Sequence, residues 1–152
     1  MRIEKDKSKM ECIANSGGFI LGIAIDKSNN VFACEMTEAS LYKYNSLDKS
    51  FKEFAKGPKI PNYPVIDENR NCIYVSDSFG FNEKGIGIYK FDLSTGKGGP
   101  CSDELFNFAN GMCLSPNGDY IYVVESFHPC VSRLPINDDG TLGKKEIFTE
   151  NI

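Results

Sequence analysis

The side chains best equipped for proton chemistry are the single histidine, His128, and three acidic residues at matching points of the sequence, Glu35, Asp77 and Glu125. An imidazole changes charge near neutrality and can shuttle a proton. His128 lies in SFHPCV, directly after Glu125, on a loop able to face a site; a lone histidine before proline reads first as a loop residue. Ser126 lacks the G-x-S-x-G elbow that would expose a serine nucleophile. The loop GFNEKGIG, Gly80 to Gly87, is not followed by a helix, so it is no phosphate cradle and reads as a hairpin insertion or a lid. The six cysteines, Cys12, Cys34, Cys72, Cys101, Cys113 and Cys130, show no C-x-x-C pair and no metal-ligand spacing. Cys34, Cys72 and Cys113 sit among Val, Ile, Met and Leu, where a reduced thiol behaves as a small hydrophobe.

The acidic residues mark a repeat. LGIAIDKSNNVFACE (Leu21 to Glu35), NYPVIDENRNCIYVSD (Asn62 to Asp77) and NGMCLSPNGDYIYVVE (Asn110 to Glu125) start 41 and then 48 residues apart, the period of a propeller blade. Each copy reads strand, polar turn, β-rich strand, acid. A third strand follows in SLYKYN, GIYKFD and CVSRLPIN, and a fourth in FKEFA, ELFNF and KEIFT, after turns marked by Asn45-Ser46-Leu47-Asp48, Ser94-Thr95-Gly96-Lys97 and Asp138-Asp139-Gly140. Four strands per copy make a blade. The apolar runs GIAI, PVI and GMCL predict strands buried on both faces, and period two in YKYN and IYKFD predicts Lys43 and Lys90 exposed on one face. Asp26, Asp67 and Ser115 read as turn formers, and Glu35, Asp77 and Glu125 as turn caps or solvated strand ends. Arg2 to Cys12 and Ser46 to Ala55 lack the apolar spacing of a helix. The fold class is all-β: a propeller segment of about three four-stranded antiparallel blades, half of a six-bladed ring. The expected organisation is a stub over 1–16 and blades over about 17–58, 59–107 and 108–152.

Composition narrows the partners. A chain of 152 residues, 41% hydrophobic and 25% charged, supports a real core. Net charge −4 with scattered lysines offers no basic stripe for a phosphate backbone. No run has the roughly 18 apolar residues of a membrane span, and the charged start MRIEKDKSKMECIANSGG is no secretory leader. These features predict no nucleic-acid or membrane partner and a cytoplasmic location. Rings close with about four to eight blades, so three blades predict either a longer reading frame or a homodimer that completes the ring.

FANGMCLSPNGDYIYVVES (Phe108 to Ser126) resembles the "N-G, apolar strand, S-P-D-G, strand, acid" signature of the senescence marker protein, gluconolactonase and regucalcin-like family of six-bladed propellers. PNYPVIDENRNCIYVSDS (Pro61 to Ser78) is similar to the preceding blade's version, and VSRLPINDDGTLGKKEIF fits the strands that follow. The Asn-Gly-x-x-x-Ser-Pro string is shared with paraoxonase-like and strictosidine-synthase-like propellers. The resemblance implies a divalent metal at one mouth of the channel, with Asn62 and Asn110 among its ligands. Ca2+ suits amide oxygens best, with Zn2+ or Mg2+ as alternatives. Leu21, the first copy's equivalent, cannot ligate. The family's ligating Glu and its later Asp, which is both ligand and general base, have no match here. Tyr63 replaces a frequent Asp, and Lys59 sits near a position often held by a substrate-binding Arg. The implied function is part of a metal-dependent lactonase acting on a small lactone, ester or sugar-acid derivative. Without its base this stretch alone is catalytically incomplete. The rival readings are a non-catalytic binding module and a strictosidine-synthase-like propeller. Tyr63, Glu125 and His128 are the further site-proximal candidates, and Asn62 and Asn110 read on their own as turn residues.

Overall fold

The computed structural model describes residues 2–3 and 10–150. Within the 1–16 stub, β1 (Arg2–Ile3) pairs with β2 (Met10–Glu11), while residues 1 and 4–9 lie outside the described residues, as do 151–152 at the end of the third blade. Four strands then form the first blade: β3 (Ile20–Ile25), β4 (Val31–Glu35), β5 (Ser40–Tyr44) and β6 (Phe51–Lys56). The second contains β7 (Pro61–Asp67) and β8 (Cys72–Asp77), an inserted β9 (Lys84–Ile86), then β10 (Ile88–Asp92) and β11 (Gly98–Pro100). β12 (Leu105–Asn107) leads into the third blade: β13 (Ala109–Leu114), β14 (Tyr120–Glu125), β15 (Cys130–Pro135) and β16 (Glu146–Glu150). The sheet orders are β3-β4-β5-β6, β7-β8-β10-β11 and β13-β14-β15-β16, all antiparallel. No helix occurs among the described residues.

Local chemistry sets the turns. Asp26 Oδ1 accepts the N–H groups of Ser28 and Asn30, and Asp67 Oδ1 those of Asn69 and Arg70. Ser115 Oγ accepts from Tyr120 N–H. The left-handed residues Asn29 and Asn71 close the first two turns, a conformation asparagine tolerates.

The strand alternation then builds two sandwich cores. Phe32, Cys34 and Leu41 of the first blade pack against Ile73, Val75 and Phe91 of the second. The opposite face of β8, carrying Tyr74, packs with Ile88 and Phe106 against Met112, Ile121, Val123 and Leu134 of the third blade. β8 alone among the second strands is covered along its whole length, because a sheet lies on each side of it.

Four expectations need correction. ELFNF is not an outer strand: β12 pairs with β9, and Gly98–Pro100 takes the fourth place beside β10. The reason is packing, since Phe106 seats its buried ring over Gly87, where no Cβ intervenes. GIAI is not buried on both faces, for Ile23 and Ile25 are 54% and 61% exposed; they lie on the side of the first blade that no other described sheet covers. Cys113 is exposed rather than in the core for the mirror reason, lying on the outer face of the third blade beside Tyr122. Lys43 and Lys90 are half-buried between sheets rather than exposed. Lys43 Nζ lies 5.1 Å from the Phe32 ring centre, and Lys90 Nζ donates to Asp139 O.

Candidate binding site at the channel mouth

Innermost strands β3, β7 and β13 share one irregularity. The register slips between Ile20 and Ile23, between Pro61 and Pro64, and between Ala109 and Met112. These bulges hold Leu21-Gly22, Asn62-Tyr63 and Asn110-Gly111, the first two residues of each repeat copy. A bulge bends its strand and re-aims a side chain at the sheet rim. Here the three bulges bring Leu21, Asn62 and Asn110 to one cavity of about 500 Å³, together with Tyr63 and Ile60. Met36, Phe81 and Phe108 complete its wall. Close approach of the sheets is built in at Gly22, whose Cβ position lies 2.5 Å from Asn62 O and 2.9 Å from Pro64 Cδ.

The two amides are oriented by serines. Asn62 Nδ2 donates to Ser78 Oγ at 2.9 Å, and Asn110 Nδ2 donates to Ser126 Oγ at 3.0 Å. Among the described residues neither Oδ1 accepts a hydrogen bond, so each amide turns its oxygen to the free side. The fully buried Ser78 passes the link on, donating to Ala109 O at the start of β13 at 2.9 Å. Sequence reasoning missed both serines in this role. The signal was present: each follows the strand-end acid, sixteen residues after its asparagine.

The acids prove to be pins rather than solvated ends. Glu35, Asp77 and Glu125 are 0%, 1% and 1% exposed. Each carboxylate accepts a backbone N–H from the segment leading into its own innermost strand: Phe19, Lys59 with Ile60, and Asn107. Glu35 also takes the Thr37 and Glu38 N–H groups, and Asp77 that of Phe79. Glu125 accepts from Ser132 Oγ and from Lys145 Nζ at 3.1 Å. These bonds fix where each bulge starts, so the acids position the mouth while their own oxygens are occupied.

Burial by itself pushes the Glu35 and Glu125 carboxyls up. It is outweighed by the Glu38, Thr37 and Phe19 hydrogen bonds on Glu35, and by those from Ser132, Asn107 and Lys145 on Glu125, so both end below the usual glutamate range. A depressed folded-state value contributes stability that is complete above the ordinary value near 4.5 and is lost as pH falls through the folded value. The urea midpoint is therefore expected to hold from neutrality down to that ordinary value and to fall below it. Glu125→Gln should show a shallower acid limb than wild type; identical limbs would remove Glu125 from the account.

The other candidates are placed as follows. Tyr63 lines the cavity and is 38% exposed. His128 is exposed in the turn between β14 and β15 and is not part of the cavity wall, although its neighbour Phe127 packs on Phe108 there. Lys59 Nζ pairs with Glu83 at 3.3 Å and lies over the Phe79 ring. No cluster of three or more His, Cys, Asp or Glu side chains that could hold a metal occurs among the described residues. The donors facing the mouth are thus two neutral amide oxygens. They suit a hard cation in kind but supply no charge.

Three four-stranded antiparallel sheets, stacked face to face with their innermost strands side by side, define a β-propeller segment. No family model matches the sequence, and no curated protein matches it. Solved structures do. Nidogen in its complex with laminin aligns with TM-score 0.69 at 16% identity, over 87% of this chain and 48% of that one. Virginiamycin B lyase from Staphylococcus aureus aligns with TM-score 0.63 at 17% identity, over 90% of this chain and 44% of that one. Hydrazine synthase of Kuenenia stuttgartiensis gives TM-score 0.66 at 15% identity, over 87% and 38%. The chain spans less than half the length of these structures. The likeness is one of fold, and fold does not fix function.

Proposed function

We propose that the mouth holds a divalent cation, Ca2+ in preference to Mg2+ or Zn2+, and that a protein built on these blades hydrolyses a small lactone, ester or sugar-acid derivative there, in the cytoplasm. The observation that carries this reading is the matched pair of amides: Asn62 and Asn110 sit on equivalent bulges, each with Nδ2 tied to a serine and Oδ1 left free. The resemblance to the gluconolactonase and regucalcin-like family supports it. Hard amide oxygens match Ca2+, whereas Zn2+ prefers nitrogen and sulfur. Such an ion would polarise a bound carbonyl and make water more acidic. The chain's own part is to orient two ligating oxygens and to surround them with mostly apolar side chains. The general base lies elsewhere, because Glu35, Asp77 and Glu125 are engaged with backbone.

The neutral donor set also favours a second reading, a non-catalytic module that hydrogen-bonds a neutral ligand through the same two amides. Calcium titration of thermal stability separates them. At about ten times its dissociation constant Ca2+ should stabilise wild type by about 1.4 kcal/mol, and Asn110→Ala and Asn62→Ala should lose most of that gain. Equal gains in wild type and both variants would take the asparagines out of the cation site and leave the binding module.

A further inference from the structure

A second feature of the mouth is aromatic. Phe81 from the inserted loop, Phe108 from the turn between β12 and β13, and Phe127 from the turn between β14 and β15 meet in one cluster. Ring centres are 5.3 Å apart for Phe81 and Phe108, 6.0 Å for Phe81 and Phe127, and 4.8 Å for Phe108 and Phe127. Phe81 is 72% exposed and Phe127 48%. Three large apolar side chains from separate loops, held in contact with two of them open to solvent and Phe108 half-buried, are unlike the scattered exposed hydrophobics of an ordinary surface.

Backbone conformation sharpens the point. Phe108 has φ 62°, and the loop bearing Phe81 has Phe79 at φ 60° and Asn82 at φ 61°. For a bulky residue the left-handed region is strained, and such strain persists where surrounding contacts enforce it, often at ligand sites. The enforcing contacts are visible. The β9–β12 pairing ties the inserted loop down beside the start of β13, and Ser126 N–H donates to Phe108 O. Phe81 and Phe108 line the same cavity as the two asparagines. Apart from those amides that cavity is walled by apolar side chains and one tyrosine, the lining of a site for a largely apolar ligand with a few polar atoms.

We infer that Phe81, Phe108 and Phe127 form an aromatic subsite that takes the hydrocarbon or aryl arm of a ligand whose oxygen-bearing head meets Asn62 and Asn110. This rests on the reading of the mouth as a lactone or ester site and narrows it: the preferred substrates carry an apolar arm, because a polyhydroxylated ring would strip its hydroxyls of water against phenylalanine without replacing their hydrogen bonds.

A matched pair of probes tests it. Dihydrocoumarin is δ-valerolactone with a fused benzene ring, so the ratio of their affinities, measured by calorimetry on the full chain with Ca2+ present, isolates the arm. Wild type should prefer dihydrocoumarin by about tenfold. Phe81→Ala should erase that preference without moving the thermal midpoint, since this side chain is mostly exposed. Asn110→Ala should weaken both lactones alike and keep the ratio. A ratio unchanged in Phe81→Ala, or no dihydrocoumarin binding at millimolar concentration, overturns the subsite. Loss of the ratio in Phe81→Ala with both affinities untouched by Asn110→Ala upholds the subsite and overturns the lactone-head assignment instead.

Discussion

Replacing Glu125 with leucine is expected to destabilise the protein by about 3 kcal/mol, a large part of the roughly 5–15 kcal/mol that holds a domain folded. The carboxylate is 1% exposed and answers three donors: Asn107 N–H, Ser132 Oγ and Lys145 Nζ. Leucine leaves all three without it. The lysine is the costly one, with a side chain only 18% exposed and its ammonium 4.4 Å from the centre of the Phe106 ring. Without the carboxylate the ammonium keeps the Leu105 carbonyl as its one other protein acceptor among the described residues and loses its counter-charge. Removing the charge with its partner should recover part of the loss, so Glu125→Leu with Lys145→Met is expected to be more stable than Glu125→Leu alone. Urea unfolding of the four proteins in this cycle measures the coupling. A single-variant loss below about 1 kcal/mol would mean that the pair behaves as an exposed one.

Gly22→Ala is expected to cost about 2–3 kcal/mol, and Gly111→Ala close to nothing or a slight gain. The two glycines occupy the same place in the first and third repeat copies, and neither has a positive φ that would strain alanine by itself. What differs is the neighbour. A methyl at residue 22 would stand 2.5 Å from a backbone oxygen and 3.0 Å from Tyr63 Cα, atoms that cannot swing aside, so β3 and β7 must separate. A methyl at residue 111 would meet nothing within 4 Å among the described residues beyond its own chain neighbours. The comparison therefore measures how tightly the innermost strands converge on the axis, with helix and strand propensities cancelled. Equal midpoints for the two variants would refute the side-by-side arrangement on which the shared cavity depends.

The architecture was legible because its signals are local. Asp26 and Asp67 announce their turns within four residues, and the β-rich runs ending in Glu35, Asp77 and Glu125 announce second strands. Asn62 and Asn110 stand out through the family resemblance, reading on their own as turn residues, and both line the mouth. The bulges could not be read, since an extra residue is extra only relative to a paired strand. The buried state of Glu35, Asp77 and Glu125 was hidden for a related reason: the lead-in N–H groups that they pin lie 16 to 18 residues earlier. Phe81, Phe108 and Phe127 are ordinary loop phenylalanines until three loops fold over one another. ELFNF has the pattern of an outer strand, and only the pairing of β12 with β9 diverts it.

Each four-stranded sheet is a meander in which paired strands are consecutive apart from one short insertion, and among the described residues the β9–β12 ladder alone runs between the segments of neighbouring blades. Closing such hairpins demands little loop entropy, so a chain emerging from the ribosome can complete one sheet before the next has been synthesised. Docking of the sheets, in which Ser78 meets Ala109 and the Phe32 face meets that of Ile73, is expected to follow. Both cores lie between sheets rather than within one, so a sheet becomes rigid only as it docks, and channel geometry and sheet packing are expected to be acquired together.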